Sequence, residues 1–306
     1  MTEDRQYLRA CSLVVGGDGE GLELAELRVV FKVNHADSET PNTADIRVYN
    51  LSQSTMTRIK EFSKVVLQAG YQSGAGLIFG GTIRQIRRGR LGTDTYLDIL
   101  AADGDKAYNY AVVNATLAAG ATASDQVDKA TGAMAEHGTT VGNVPDLGGV
   151  ALPRGKVMYG MARKYMRDTA SNSACSWSIQ NGAVQVIPVQ GYLPGEAVRL
   201  TAQTGLVGQP EQTNEGIKVR ALINPRFRVG SRIQLDNESI QKYRNEQRYK
   251  AVNLAPRLDE DGFYRILAID WTGDTRGRDW YADLICVGID DSAPIGSKLI
   301  DTNGGR

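Results

Sequence analysis

The 306 residues, 42% of them hydrophobic and 23% charged, suffice for two domains or three small ones, each with a buried core. The 35 basic residues balance 35 acidic ones, which removes any overall attraction to nucleic acid or an anionic membrane and disfavours a DNA-binding role. The start MTEDRQYLRACS lacks the pattern of a secretory signal, and no apolar run approaches the roughly 20 residues that span a bilayer, so the expectation is a soluble chain made in a cytoplasm, with no membrane segment.

Tyr7 to Val15 and Leu22 to Val33 read as strands, with GGDGEG, Gly16 to Gly21, as the hairpin turn between them. A glycine loop that cradles phosphate must open a helix, and here the strand-like LELAELRVVFKV follows instead. Ala44 to Asn50 sets Ile46 and Val48 on one face and Arg47 and Tyr49 on the other, the period of a half-buried strand. Ser52 to Phe62 carries Met56, Ile59 and Phe62 at helical spacing. Lys64 to Tyr71, Gly76 to Ile86 and Asp94 to Ala101 are further strands, punctuated by glycines as in a small coiling sheet. The natural packing for this first region is a small closed or nearly closed β-barrel.

The character then changes. Thr122-Ala-Ser-Asp125 has capping-box spacing, which predicts a helix running to about Glu136 and stopping at Gly138. A second helix is expected from Lys156 to about Ala170, with Val157, Met158, Met161, Ala162, Tyr165 and Met166 as its apolar stripe. Core packing explains that stripe better than a methionine-lined groove. CSWSIQNGAVQVIPV sets two β-runs around Asn181-Gly182, the pair that tolerates positive φ at both centres of a type I′ turn. Two helices and a hairpin make a small α+β module between two β-rich regions.

From Arg199 the pattern is strand-like again. The stretch Thr204 to Leu235 gives a glycine-punctuated loop, a strand Gly216 to Leu222, a turn at Asn224-Pro225 and a strand Ser231 to Leu235. A charged loop from Asp236 to Asp261 precedes GFYRILAIDW and RDWYADLICVGI, and the tail from Asp291 is polar. An internal echo links the two β-rich regions. Asp94 to Leu100 and Asp279 to Ile285 share D-x-Y-x-D followed by two aliphatics, each preceded by a comparable strand, GTIRQI and YRILAI. Ile46-x-Val48 and Ile217-x-Val219 begin corresponding pairs, and three matches in one order point to two versions of one barrel.

No local motif offers catalytic, cofactor-binding or metal-binding residues, and no cofactor is expected. The only histidines, His35 and His137, lack a neighbour at metal-ligand spacing. Asp103-Gly-Asp105 and Asp259-Glu-Asp-Gly262 lack the alternating acidic loop of a calcium site and read as turns. Asp94 with Asp98, and Asp279 with Asp283, have the spacing of paired carboxylates for glycoside cleavage, but their recurrence fits solvent- or interface-facing strand positions better. Arg84, Arg87, Arg88 and Arg90 form a basic cluster without the interleaved aromatics of a nucleic-acid surface. Cys11, Cys175 and Cys286 are scattered, as free thiols are in a reducing compartment.

The segments ADIRVYNLS, LIFGGTIRQIRRGR, DTYLDILAADGD, LPRGKVMYGMARKYMRDTA, WSIQNGAVQVIP, TGLVGQPEQTNEGIKVRALINPRFRVGSRIQLDN and GFYRILAIDWTGDTRGRDWYADLICVGID, as an ordered set, resemble the baseplate hub proteins of tailed phages, particularly contractile ones. The resemblance implies an α+β, mostly β chain: a first hub barrel at 1–105, an α+β insertion at 106–197, a second barrel at 198–290 and a polar tail at 291–306. It also implies a non-enzymatic homotrimer in the virion, made in the bacterial host cytoplasm. Three subunits with two similar barrels each would present six near-equivalent units to a tail tube ring above and a threefold face to a trimeric spike below. Surrounding baseplate proteins and the tape measure protein are the other expected neighbours, and viral DNA would pass the lumen without specific binding. A cell-wall-degrading tail enzyme and a tail-tube-end adaptor on the same barrel are the alternatives.

Overall fold

The computed structural model describes residues 6–16, 21–24, 26–59, 63–149, 151–213, 216–240 and 261–289. In chain order the first region supplies β1 (Arg9–Gly16), β2 (Gly21–Glu23), β3 (Val29–Ala36), β4 (Thr43–Tyr49), α1 (Gln53–Arg58), β5 (Lys64–Tyr71), β6 (Gly76–Leu91) and β7 (Asp94–Ala102). The middle supplies α2 (Asp105–Tyr110), β8 (Val112–Leu117), α3 (Ala123–Ala135), β9 (Thr140–Val141), β10 (Lys156–Met161), α4 (Ala162–Asn172), β11 (Cys175–Gln180) and β12 (Ala183–Pro188). The last region adds β13 (Val198–Arg199), β14 (Leu206–Thr213), β15 (Gly216–Leu222), β16 (Arg232–Gln234), a 3-10 turn at Asn237–Ser239, β17 (Phe263–Asp274) and β18 (Trp280–Gly288).

The chain is thus mostly β with an α+β insertion, as expected. One 13-stranded sheet runs in the order β14-β15-β18-β17-β3-β4-β7-β6-β5-β1-β2, with β16 on β17 and β13 on β16. Its two halves meet where β17 pairs antiparallel with β3, Trp271 opposite Val33. Closure of two separate barrels is not detected among the described residues: both edges of β3 are engaged, one by β4 and one by β17, so the halves share a single ladder. Alternation explains the packing. Val29, Phe31 and Val33 of β3 are fully buried while Lys32 and Asn34 face out. One continuous core takes residues from Leu13 to Ala101 and from Val198 to Cys286, and a second runs from Ala107 to Val186.

The internal echo is visible in the ladders. β4-β7-β6 and β15-β18-β17 have the same order, and each third strand carries a bulge at the same place. The first bulge falls between Ile83 and Gln85, opposite Ala101 and Leu100; the second falls between Ile266 and Ala268, opposite Cys286 and Ile285. Arg47 lies opposite Asp98 and Arg220 opposite Asp283, so Ile46 corresponds to Val219. The sequence match of Ile46 with Ile217 is therefore displaced by two residues, a shift that period-2 alternation cannot register.

Several expectations hold and others change. The Thr122 cap is present, with the Thr122 N–H donating to Asp125 Oδ2 at 2.7 Å and the Asp125 N–H to Thr122 Oγ1 at 3.4 Å, and α3 follows. The hairpin β11–β12 turns at Asn181 and Gly182 with φ of 52° and 82°. Gly16 pairs with Gly21 across β1 and β2, but Leu22 to Val33 divides into β2 and β3. The expected helix from Lys156 begins only at Ala162, because Lys156–Met161 pairs as β10 with β8. Gly160, at φ of 146°, cannot sit in a helix and marks the end of that strand. Met158 points into the second core from β10, while Val157 on the same strand faces out. The end of the first expected helix, most of the charged loop 236–261 and the polar tail lie outside the described residues.

Candidate assembly surfaces

The residues weighed for chemistry are held in structural contacts. Asp98 is gripped by Arg47, Nε to Oδ1 at 2.6 Å and the terminal nitrogen to Oδ2 at 2.9 Å. Asp283 is held in the same fork by Arg220, at 2.7 and 2.9 Å. Each arginine also lies over the tyrosine of its D-x-Y-x-D segment, Arg47 over Tyr96 at 4.2 Å and Arg220 over Tyr281 at 5.6 Å. Asp94 accepts from Asn50 at 3.0 Å. Both oxygens of each carboxylate are taken up by its guanidinium fork. Glycoside cleavage by these aspartates therefore finds no support in the geometry.

The histidines are apart in kind. His35 is buried in the frame, and burial pushes its pKa down to about 4. His137 lines a shallow cleft with Lys64, Asp103 and Thr139. Asp103 and Asp105 serve different partners: Asp103 accepts the Gly182 N–H at 2.7 Å, and Asp105 pairs with Arg84 and accepts from Asn109 at 2.8 Å. Burial raises the Asp103 pKa to about 7, opposed by the Gly182 and Asn181 N–H groups. Among the described residues no group of three or more His, Cys, Asp or Glu could hold a metal ion. Asp259 and Glu260 of the other acidic turn fall outside them. The basic cluster is likewise dispersed. Arg87 donates to Gln85 at 3.1 Å and Arg88 to the Met56 carbonyl at 3.0 Å. The three cysteines are free, and burial pushes the Cys11 thiol up to about 12.

The insertion is fastened to the sheet by a buried joint that the sequence did not announce. Arg265 of β17 pairs with Asp37, both side chains 1% exposed, and its guanidinium also donates to the carbonyls of Pro188, Val189 and Gly191 at 2.7 to 3.1 Å. Ser176 donates to the same Asp37 at 2.7 Å. Asn42 donates to the Ile179 carbonyl and to Gln180 Oε1, each at 2.9 Å, and Gln180 returns a bond to the Ala36 carbonyl. Arg167 on α4 forks onto Glu39 at 2.6 and 2.8 Å. The one hint in the sequence was a lone arginine inside an apolar strand, which tells nothing of its partner.

One surface of the insertion is left bare. The two-stranded ribbon β8–β10 buries Val113, Leu117 and Met158 against the second core. Its other face shows Val157 at 72% and Tyr159 at 75% exposure, paired across the ribbon with the exposed Thr116 and Asn114. Large apolar side chains exposed side by side on one strand face are a common feature of contact surfaces.

No protein-family model matches the sequence, and no curated protein matches it. Solved structures do. The 43 kDa tail protein of prophage MuSo2 from Shewanella oneidensis superposes with a TM-score of 0.61 at 9% identity, over 94% of this chain and 100% of that one. This chain has the fold of phage tail proteins. A tail protein from Neisseria meningitidis MC58 shares that tail-protein fold with a TM-score of 0.57 at 9% identity, covering 92% and 96%. So does an Escherichia coli component of the type VI secretion system that exhibits structural similarity to T4 bacteriophage tail proteins gp27 and gp5, with a TM-score of 0.58 at 11% identity, covering 92% and 77%. The tail-protein fold expected from the hub resemblance is thus the fold observed.

Proposed function

We propose that this chain is a structural, non-enzymatic protein of a phage-type tail, acting as a homotrimeric baseplate hub in the virion. The observation that carries the reading is the repeated unit: two sets of three strands with the same order, bulge and Arg-Asp fork, in a chain whose fold runs the whole length of a solved tail protein. Three such chains present six near-equivalent units to a sixfold tube and a threefold face to a trimeric spike, which is the geometry a symmetry adapter needs. In this reading the divisions are 1–105 and 198–290 for the two related barrel units, 106–197 for the insertion and 291–306 for a tail. Baseplate proteins and the tape measure protein surround it, and the lumen passes DNA without binding it. The exposed Val157 and Tyr159 of the β8–β10 face favour assembly. Native mass spectrometry of the purified full chain, together with electron microscopy of particles, tests it. A three-membered ring at the tube end is expected; a strictly monomeric chain under assembly conditions, or a ring of six copies, overturns it.

A further inference from the structure

The ribbon β8–β10 is a sheet of two strands, and its hydrogen bonds show which backbone groups are left over. The Tyr159 N–H turns away from β8 and donates to Tyr165 Oη at 2.8 Å. Tyr159 lies opposite Asn114, so that pair stands between the bonded pairs of the antiparallel ladder. Alternation puts Val157 with Thr116, and Met161 with Val112, in the same class. One step on, the Ala162 N–H donates to the Ala111 carbonyl at 2.9 Å, as that phase requires. Val112, Asn114 and Thr116 therefore direct their N–H and C=O groups to the outer edge of β8. Among the described residues no strand but β10 pairs with β8, and the three residues are exposed.

Proteins blunt such edges with charge, proline or a bulge. Val112–Leu117, VVNATL, has no charged residue and no proline, and its register with β10 is unbroken. By contrast β14, at the end of the large sheet, carries Pro210, Glu211 and a register shift. Charge around the ribbon is one-sided as well. Between Asp146 and Asp168 stand five basic residues and no acidic one. Arg154 and Lys156 flank the Leu117 end of β8, while Arg163 and Lys164 follow Met161 at the Val112 end. Among the described residues only Arg167 of the five meets a carboxylate, that of Glu39. Lys156 donates to Gln126 and Arg163 to the Tyr108 carbonyl and Asn109, and Arg154 and Lys164 are exposed.

We propose that the β8 edge is a strand-addition site for an extended acidic segment of a different protein chain. The backbone of that segment bonds Val112, Asn114 and Thr116, and its carboxylates meet the basic residues at the two ends of the ribbon. A second copy of β8 is disfavoured as the occupant. Antiparallel pairing of the edge with itself would set the Arg163 end of one copy against the Arg154 end of the other, basic against basic. The proposal stands on the ribbon alone and holds whether or not the chain forms a trimeric ring.

Amide exchange followed by NMR on the full chain tests it. The probe is the peptide acetyl-Glu-Val-Thr-Val-Thr-Val-Glu-amide, and the control has lysine in place of both glutamates. In the chain alone Val112, Asn114 and Thr116 should exchange fast, and Val113, Ala115 and Leu117, bonded to β10, slowly. The acidic peptide at ten times its dissociation constant should slow the first three about 10-fold and give contacts between their amide protons and its own backbone. Thr116→Pro removes one outward N–H at an edge position, where proline is tolerated, and should weaken binding about 5-fold. If that variant does not fold, the exposed pair Arg154→Glu with Lys164→Glu should transfer the preference to the lysine peptide. The site is refuted if the acidic peptide leaves the three outward amides fast, if the lysine peptide slows them equally, or if the variant that folds binds as the parent does. Protection that grows with protein concentration in the absence of peptide would assign the edge to a second copy and overturn the proposal as well.

Discussion

Arg47 and Asp98 face each other across β4 and β7 in the same forked geometry, and beside the same kind of tyrosine, that Arg220 and Asp283 adopt across β15 and β18. The second pair is the more exposed, so solvent screens it more. Double-mutant cycles built on Arg47→Ala with Asp98→Ala, and on Arg220→Ala with Asp283→Ala, should give a coupling of about 0.5–1 kcal/mol for the first pair and less for the second. Urea denaturation of each set measures this, and a larger coupling at Arg220 would reverse the account. The combined variant Asp98→Asn, Asp283→Asn should also show no change in turbidity clearing of peptidoglycan relative to the parent.

The pair Arg265 and Asp37 behaves differently because water is excluded from it. Arg265→Met leaves Asp37 as an uncompensated buried charge, and strips the donor from three carbonyls of the 188–191 segment. The expected loss is about 3–5 kcal/mol, read from the denaturation midpoint. Adding Asp37→Leu should recover a large part of it, because an apolar pair of similar volume avoids the unpaired charge. If the double variant is no more stable than Arg265→Met, the loss comes from the carbonyls rather than from Asp37.

Two buried groups give opposed pH dependences. Asp103 has its folded pKa raised to about 7, so the folded state holds its proton longer than the unfolded chain does. Its effect is to lower stability as pH rises from the unfolded value of about 4 to about 7. His35 has its folded pKa lowered to about 4, so stability falls as pH drops from the unfolded value of about 6.5 to about 4. The two slopes oppose over most of that range. Asp103→Asn, which keeps an acceptor for the Gly182 N–H, should unmask a stability that climbs with pH through the histidine window. His35→Phe should unmask one that declines toward neutrality. Thermal melts at intervals from pH 4 to pH 8 check both signs.

The hairpin turn constrains a third position. Gly182 has φ of 82°, and a side chain there would meet open space, so Gly182→Ala carries backbone strain without a clash. The expected cost is about 1 kcal/mol, whereas Gly182→Asn, which tolerates that region, should cost less. Equal midpoints for the two variants would show that the turn relaxes.

Much of this was legible because it is local. Alternation located β4, β5, β7 and β15 within a residue, the Thr122 box began α3, and Asn181-Gly182 placed the hairpin turn. What escaped depends on partners distant in sequence. Lys156 to Met161 carries apolar residues at both strand and helix spacing, and only β8, some 40 residues earlier, decides for the strand. The pairing of β3 with β17, which merges two expected barrels into one ladder, joins residues more than 230 apart. Arg265 and Asp37 lie 228 residues apart, and nothing in either neighbourhood encodes the other.

The exposed ribbon offers the cleanest separation of assembly from folding. Val157 and Tyr159 project from β10 into solvent while Met158 between them is fully buried, so replacing the outer pair leaves the second core intact. Val157→Lys with Tyr159→Glu should shift stability by no more than about 0.5 kcal/mol, the usual range for surface changes. Such a pair of charges would nonetheless be costly inside an apolar contact, where burying each without a partner is strongly unfavourable. If the bare face meets a neighbouring chain, native mass spectrometry of the variant should show loss of the assembled species at concentrations where the parent remains assembled. Met158→Ala is the counterpart: it should destabilise the monomer by about 2–5 kcal/mol through the cavity it leaves. An assembled double variant together with an unstable Met158→Ala protein would assign the ribbon to folding alone.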